Sequence, residues 1–274
     1  MGQVRTEYEV RRIRTGIKAF VLSDGSRQMA GAWRIISADI GGGPALRIAV
    51  RSVQGSLADI VPLARELCDR LLERRLADLP AGSSVTCRKG CSACCSYLVP
   101  VSVCEAIRLG QDLSDMPVPQ RLRLERATMS AARKIMDFPQ PPDGDIEDVS
   151  RWYRSLELDC PMLQNHLCQI YDVRPLACRE YVVDKPPGLC EIDSLDSPLE
   201  LSVSVSQALG TLAGQLEQAP LEAVMLPLWL AWQYANQPRA NRHWPMMEMV
   251  RRLVSILAQT PEQIMARQAQ PARA

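Results

Sequence analysis

The sequence CRKGCSACC, residues 87–95, holds four cysteines within nine residues. Thiols this close together repel one another once they ionise, and a soft metal ion that replaces their protons is the ordinary solution. The glycine at position 90 lets the backbone fold around a central ion. This stretch therefore predicts a thiolate metal site.

A second group of cysteines lies in CPMLQNHLCQIYDVRPLACR, residues 160–179, and its thiols come from separate turns. A four-thiolate zinc site or a cubane cluster uses four sulfurs, and two separate sites would use eight. Three arrangements are compatible with seven cysteines in the two groups. They are one centre with spare thiols, two metals that share a sulfur, or an iron–sulfur centre beside a site completed by a ligand other than cysteine. The predicted ligands are the seven cysteines of the two groups: Cys87, Cys91, Cys94, Cys95, Cys160, Cys168 and Cys178.

Three residues of the second group are predicted to surround the ligands: Arg174, Arg179 and Tyr171. Nearby cations lower the pKa of thiols and offset the charge of an anionic site. Pro175 at a first helical turn would also direct backbone N–H groups towards the sulfurs. His166 is either a further ligand or part of a polar turn, and the turn is favoured.

The remaining three cysteines fall outside these spacings. Cys68 and Cys104 lie on predicted helices and are expected to be small buried residues, whereas the role of Cys190 stays open.

The composition is that of a soluble globular protein: 274 residues, 47% of them hydrophobic and 23% charged, with a net charge of +1. This small net charge provides no general attraction for nucleic acid. The N-terminus lacks the apolar core of a signal peptide, which predicts a cytoplasmic protein with reduced thiols. The longest apolar run, residues 223–235, is too short to span a bilayer, so no membrane association is predicted.

Hydrophobic periodicity predicts a mainly α (α+β) fold. Residues 1–55 contain three short apolar runs, 17–22, 32–36 and 45–50, and are expected to form a small β-rich meander. Helices are expected over 56–79, from the Ser102/Glu105 capping box to residue 113, and over 120–137, before a linker at 139–144. Segments 201–216, 221–235 and 246–257 predict a C-terminal helical bundle.

These elements predict four regions along the chain. A β-rich N-terminal segment occupies residues 1–55, and an irregular, cysteine-rich metal-binding domain with helices occupies 56–190. A helical segment follows at 198–260, and residues 261–274 form a frayed tail.

Two motifs carry a family resemblance: Cys87-x3-Cys91-x2-Cys94-Cys95, and Cys160-Pro followed by Cys168-x-Ile-Tyr-x-x-Arg-Pro-x-x-Cys178-Arg-x-Tyr181. Together they resemble the YkgJ-like cysteine-cluster (CxxCxxCC) family. The resemblance covers residues 85–185 and implies a zinc- or iron-chelating domain. This sequence departs from the family label in having three residues between Cys87 and Cys91. The flagellin lysine N-methylases carry a more distantly similar pattern, which implies an iron–sulfur cluster and S-adenosylmethionine.

The leading hypothesis is therefore a protein that binds a metal through the seven cysteines. The C-x3-C-x2-C spacing and the sulfur count favour an iron–sulfur cluster, such as [4Fe–4S], over zinc. One alternative is an S-adenosylmethionine-dependent enzyme that modifies a peptide or protein and uses the cluster as a cofactor. The other is a protein-interaction module with a structural metal, in which Trp229, Trp232 and Trp244 either contact a protein or peptide partner or form buried core.

Overall fold

The computed structural model describes residues 16–23, 31–80, 85, 87–138, 146–183 and 199–259. The strands are β1 (Ala19–Val21), β2 (Trp33–Ala38), β3 (Leu46–Arg51), β4 (Gln54–Gly55), β5 (Pro100–Ser102), β6 (Leu163–Gln164), β7 (Leu167–Cys168), β8 (Ala223–Met225) and β9 (Trp244–Pro245). The α-helices are α1 (Val61–Ala77), α2 (Val103–Ser114), α3 (Val118–Asp137), α4 (Ile146–Ser155), α5 (Leu176–Glu180), α6 (Val205–Glu217), α7 (Trp229–Ala235), α8 (Gln237–Ala240) and α9 (Met246–Leu257). Short 3-10 turns are Leu57–Ile60, Ala93–Ser96, Tyr171–Val173 and Leu226–Leu228.

The described residues form two compact units that alternate along the chain. The first contains the described parts of 1–77, 200–222 and 240–259, and the second contains those of 78–199 and 223–239. The predicted boundaries at 55, 190 and 260 stay a prediction.

The first unit contains a three-stranded antiparallel sheet in the order β1-β3-β2. In its register, Ala19 pairs with Val50 and Ile36 with Ile48. A sequential meander would place β2 in the centre, whereas here β3 takes that position. Burial is consistent with this order, because Ile48, Ala49 and Val50 of β3 are fully buried and a strand lies on each side of them.

Three helices complete the first unit. Helix α1 packs on β1 through fully buried residues such as Leu63 and Leu67, and α9 packs against α6 and β3. Helix α1 follows a 3-10 turn, Leu57–Ile60, at whose start the carboxylate of Asp59 accepts from the N–H and the hydroxyl of Ser56.

The second unit contains α2 and α3 together with a two-stranded ribbon of β5 and β8. The capping box is formed as predicted, with the side chain of Ser102 accepting from the N–H of Glu105. Its core includes Leu109, Leu124 and Trp229, all almost fully buried. Trp229 is therefore a core residue, and the partly exposed Trp232 packs against the same cluster.

The mainly α (α+β) fold class is confirmed, with one correction in the predicted C-terminal bundle. Helices α6 and α9 match two of its three segments, but the middle segment forms strand β8, a 3-10 turn and the short helix α7. Pro227 lacks an amide hydrogen and lies in the 3-10 turn, so it disfavours one continuous helix over 221–235. The predicted linker at 139–144 and tail at 261–274 lie outside the described residues.

Of the helices within the described ranges, none combines the length and the apolar character needed to cross a membrane.

Candidate metal centre

The first cysteine loop is tightly wound. Gly90 has a φ of +97°, in the left-handed region that favours glycine, and the N–H of Cys91 donates to the carbonyl of Arg88 at 3.0 Å. The 3-10 turn Ala93–Ser96 then carries the two adjacent cysteines of the loop. The loop glycine thus permits the backbone reversal that the sequence predicts.

The second segment is a β-hairpin formed by β6 and β7. Its two turn residues, Asn165 and His166, have φ values of +49° and +58°, as in a type I′ turn. Cys160 precedes the hairpin and Cys168 ends it. The N–H of Cys160 donates to the carbonyl of Cys95 at 2.7 Å, so a backbone hydrogen bond joins this segment to the first loop.

The third segment is the short helix α5, which carries Cys178 and begins after Pro175. The N–H of Leu176 donates to Glu105 Oε1 at 2.7 Å. The prediction that the first N–H groups of this helix face the sulfurs is therefore wrong for Leu176, because a buried carboxylate occupies that donor. The other oxygen of Glu105 accepts from the N–H and hydroxyl of Ser102.

Glu105 is a positioning residue that the sequence interpretation missed. It is 1% exposed and joins the start of α2 to the start of the cysteine-bearing helix, 71 residues further along the chain. The capping box was visible in the sequence. The hydrogen bond between the other carboxylate oxygen of Glu105 and the N–H of Leu176 could not be predicted, because no local sequence pattern pairs α2 with α5.

Four thiols from these segments interact electrostatically in every pairwise combination: Cys94, Cys160, Cys168 and Cys178. Burial is the largest cause that raises the pKa of Cys160 to about 12, and it also raises the pKa of Cys168. Burial likewise raises the pKa of Cys178 well above its ordinary value, and charges on the neighbouring thiols raise it further. Without a metal, the ionisation of each thiol therefore opposes that of the others. We call these four residues the thiol quartet.

Cys94 is the exception within the quartet. A hydrogen bond from the Cys95 thiol lowers the pKa of Cys94 to about 7, although burial opposes this shift, and Arg174 also lowers it. The same hydrogen bond raises the pKa of Cys95, together with burial and the charges of Cys160 and Cys94. The two adjacent cysteines thus differ: the thiol of Cys95 donates the hydrogen bond and Cys94 accepts it.

The guanidinium of Arg174 lies beside the quartet. Its charge lowers the pKa values of Cys94, Cys168 and Cys178, and its Cζ lies 4.3 Å from the centroid of the Tyr171 ring. Its Nε is buried and finds no hydrogen-bond acceptor among the residues that the structure describes. A cation with a spare donor suits an anionic metal–thiolate centre, so the residues present fit a soft metal.

Arg179 supports the backbone around the same site. Its Nε donates to the carbonyl of Arg174 at 3.2 Å, and its Nη2 donates to the carbonyl of Asp172. Arg179 is almost fully buried, so these bonds fix the turn that leads into α5. Tyr181, beyond that helix, packs edge to face against Tyr97 of the first segment, with ring centroids 5.9 Å apart.

The other cysteines are placed differently. The thiol of Cys87 lies 3.9 Å from the carbonyl of Val183, and Cys91 closes the Gly90 turn; neither contact joins them to the quartet. Cys68 and Cys104 are fully buried, as predicted for core residues. Cys190 lies outside the described residues.

His166 lies at the rim of the site. It occupies the hairpin turn, as favoured from the sequence, and its Nδ1 is 3.5 Å from the hydroxyl of Ser92. In the part of the chain that the structure describes, no three His, Cys, Asp or Glu side chains already surround a common point as the ligands of one ion would.

Residues 86–191 match the family model described as "CxxCxxCC: Putative zinc- or iron-chelating domain". The match spans less than half of the chain and includes every residue of the thiol quartet. It supports binding of zinc or iron by this region, whereas the relation to flagellin lysine N-methylases gains no support. No curated protein and no solved structure matches the chain.

Proposed function

We propose that this protein binds one metal centre through four thiolates, those of Cys94, Cys160, Cys168 and Cys178. The observation that carries the proposal is the electrostatic interaction among these four thiols, which come from three separate segments, beside the buried Nε of Arg174. The zinc- or iron-chelating family model over the same residues supports it. Both a zinc ion and a cubane cluster take four thiolates.

An iron–sulfur cluster is the occupant we propose. The quartet offers sulfur alone, and soft thiolate ligands select iron–sulfur clusters, zinc or Cu(I). The two groups hold seven cysteines, more than the four that one zinc ion takes, and on this count we prefer the cluster. When bound, such a cluster supplies one-electron transfer, whereas zinc would supply a structural cross-link.

The residues around the quartet have separate tasks in this proposal. Cys94 is the first thiolate available to an arriving metal, because the hydrogen bond from Cys95 keeps its pKa near neutrality. The other three thiols release their protons only as the metal replaces them. Arg174 then offsets the negative charge of the completed centre.

The test is a panel of cysteine-to-serine variants, purified anaerobically and analysed for metal content and visible absorption. We expect C94S, C160S, C168S and C178S each to lose most of the metal. C87S and C91S are the matched controls from the same region, and they are expected to keep it. C95S is also expected to keep it, because a serine hydroxyl can still donate to Cys94.

Three results would overturn the proposal. One is wild-type protein that lacks metal and contains disulfides, and another is retention of metal by the quartet variants. The third is loss of metal in C87S or C91S equal to that in the quartet. Colourless protein with stoichiometric zinc and no iron or sulfide would keep the four-thiolate site but overturn the iron–sulfur assignment.

No specific observation favours either alternative, the S-adenosylmethionine-dependent enzyme or the interaction module with a structural metal. No contact of the described residues and no comparison supports binding of S-adenosylmethionine, so we do not propose the enzyme.

A further inference from the structure

An exposed row of apolar side chains runs along α3, away from the thiol quartet residues in sequence. Leu122, Met129 and Met136 are 39%, 36% and 61% exposed. They recur at intervals of seven residues, and Val118 lies one helical turn before the first of them. Large apolar residues on one helix face are normally buried, so this regular exposure indicates a surface that another element covers. We call these four residues the α3 stripe.

The spacing of the α3 stripe is informative about what covers it. A heptad repeat of apolar residues keeps one seam of a helix facing a second helix over several turns. A flat sheet or an irregular loop does not require this repeat. The pattern therefore fits a partner helix that runs alongside α3.

Two members of the stripe, Leu122 and Met129, line one side of a surface groove. Its opposite wall comes from α7, where Leu230 and the 67% exposed Tyr234 line the same depression as Leu122 and Met129. Tyrosine at a groove rim offers a large apolar ring with a hydroxyl that still reaches water. The groove thus offers apolar contacts on two sides of a docked helix.

Arginines repeat with the same period as the apolar residues. Arg126 and Arg133 each lie four residues after an apolar member of the stripe, and both are exposed and line the groove. The structure shows no carboxylate paired with either of them in the described ranges. Glu125, which also lines the groove, lies 3.6 Å from Arg121. The groove therefore presents unneutralised positive charge.

We propose that this groove binds an acidic amphipathic helix of a partner protein. Apolar residues of that helix would pack on the α3 stripe and Tyr234, while glutamates or aspartates flanking its seam would meet Arg126 and Arg133. A second copy of the chain fits poorly, because it would bring the same arginines near one another. Nucleic acid would use the arginines but leave the apolar stripe uncovered.

The probe for this proposal is a fluorescein-labelled helical peptide of about four heptads, with leucine at a and d and glutamate at e and g. Its reference peptide carries lysine in place of glutamate. Fluorescence polarisation is measured with the full chain, at peptide concentrations where the peptides are monomeric. We expect the acidic peptide to bind and the basic peptide to bind about tenfold or more weakly.

Variants of the groove separate its two contributions. L122S/M129S is expected to weaken the acidic peptide about tenfold, through lost apolar contact. R126E/R133E is expected to reverse the preference in favour of the basic peptide. The matched control is R123E/K134E, which makes the same charge change on the same helix, about 100–160° round the helix axis from the stripe. It should retain most of the affinity and the preference for the acidic peptide.

The proposal is independent of metal binding, so its test is run on protein whose circular dichroism and metal content match the wild type. Equal binding of the two peptides, or equal weakening by the control variant, would overturn it. So would a concentration-dependent dimer that L122S/M129S abolishes, since a second copy would then cover the stripe. Binding of a single-stranded oligonucleotide that R126E/R133E abolishes, without peptide binding, would also overturn it.

Discussion

Arg174 places a charged guanidinium group beside the thiol quartet. Its Nε is buried beside the quartet, where burial raises the pKa values of Cys168 and Cys178, and these two neutral thiols give a guanidinium little compensation. Removing a charged donor from water without an acceptor costs free energy, and an anionic metal–thiolate centre would recover that cost. The charge of Arg174 therefore belongs with the metal-bound state.

We expect R174Q to retain its fold and to bind the metal about 10–100-fold more weakly, because residues behind the ligands typically contribute this much to affinity. Chelator competition at fixed pH measures the change. R88Q is the control, since Arg88 is an exposed cation in the first cysteine loop. If R174Q and R88Q bound the metal with equal affinity, Arg174 would not contribute to metal binding.

His166 allows a second test at the level of one residue. Its φ of +58° suits glycine better than histidine, so H166G is expected to be at least as stable as the wild type. We expect its metal content to stay unchanged, because the histidine serves the turn. Metal analysis and thermal unfolding check both points, and loss of metal would instead make His166 a ligand.

Among the secondary-structure elements, α5 depends most on a distant partner. It has only five residues, too few to be stable alone, and yet it carries Cys178. The carboxylate of Glu105 receives its first N–H and also caps α2, so one side chain fixes the starts of two helices. The position of Cys178 thus depends on Glu105.

We expect E105Q to lower both stability and metal retention. An amide cannot accept at both ends, so a buried donor loses its partner at a cost of about 1–3 kcal/mol. Thermal unfolding and metal content are the measurements.

S102A is the matched control for E105Q. It removes the hydroxyl cap at a cost of about 1 kcal/mol but leaves the bond from Leu176 to Glu105 in place. Metal retention is expected to persist in S102A. If both variants lost metal equally, Glu105 would act only through the stability of α2.

The elements that the sequence predicted well are those with local signals. Periodicity located α1 and α3, the Ser102/Glu105 capping box located α2, and Asn165-His166 predicted a turn. The position of β3 between β1 and β2 depends on burial in three dimensions, which strand patterns do not encode. The same holds for β8, because its partner β5 lies 121 residues away in the register that pairs Ser102 with Ala223.

At the scale of the whole molecule, the two units draw on alternating stretches of the chain. Composition and periodicity locate helices but not the unit to which each belongs. The sequence likewise identified the cysteines but not which of them interact: Cys94, Cys160, Cys168 and Cys178 do so from separate segments. Those interactions link segments separated by more than 60 residues.

The thiol quartet lies wholly within the second unit, so we expect metal removal to loosen that unit selectively. Hydrogen exchange measured before and after chelation should increase in residues 87–102 and 160–183. Strand β3 in the first unit is the internal reference and is expected to keep its protection. An equal increase of hydrogen exchange in β3 would contradict the expectation that the metal stabilises only the second unit.

X-ray absorption at the metal edge of anaerobically purified protein tests the four-thiolate centre most directly. We expect a coordination shell of four sulfurs at about 2.3 Å around the metal, with no nitrogen or oxygen ligand. Wild-type protein without metal, or a shell containing nitrogen or oxygen in place of sulfur, would contradict it.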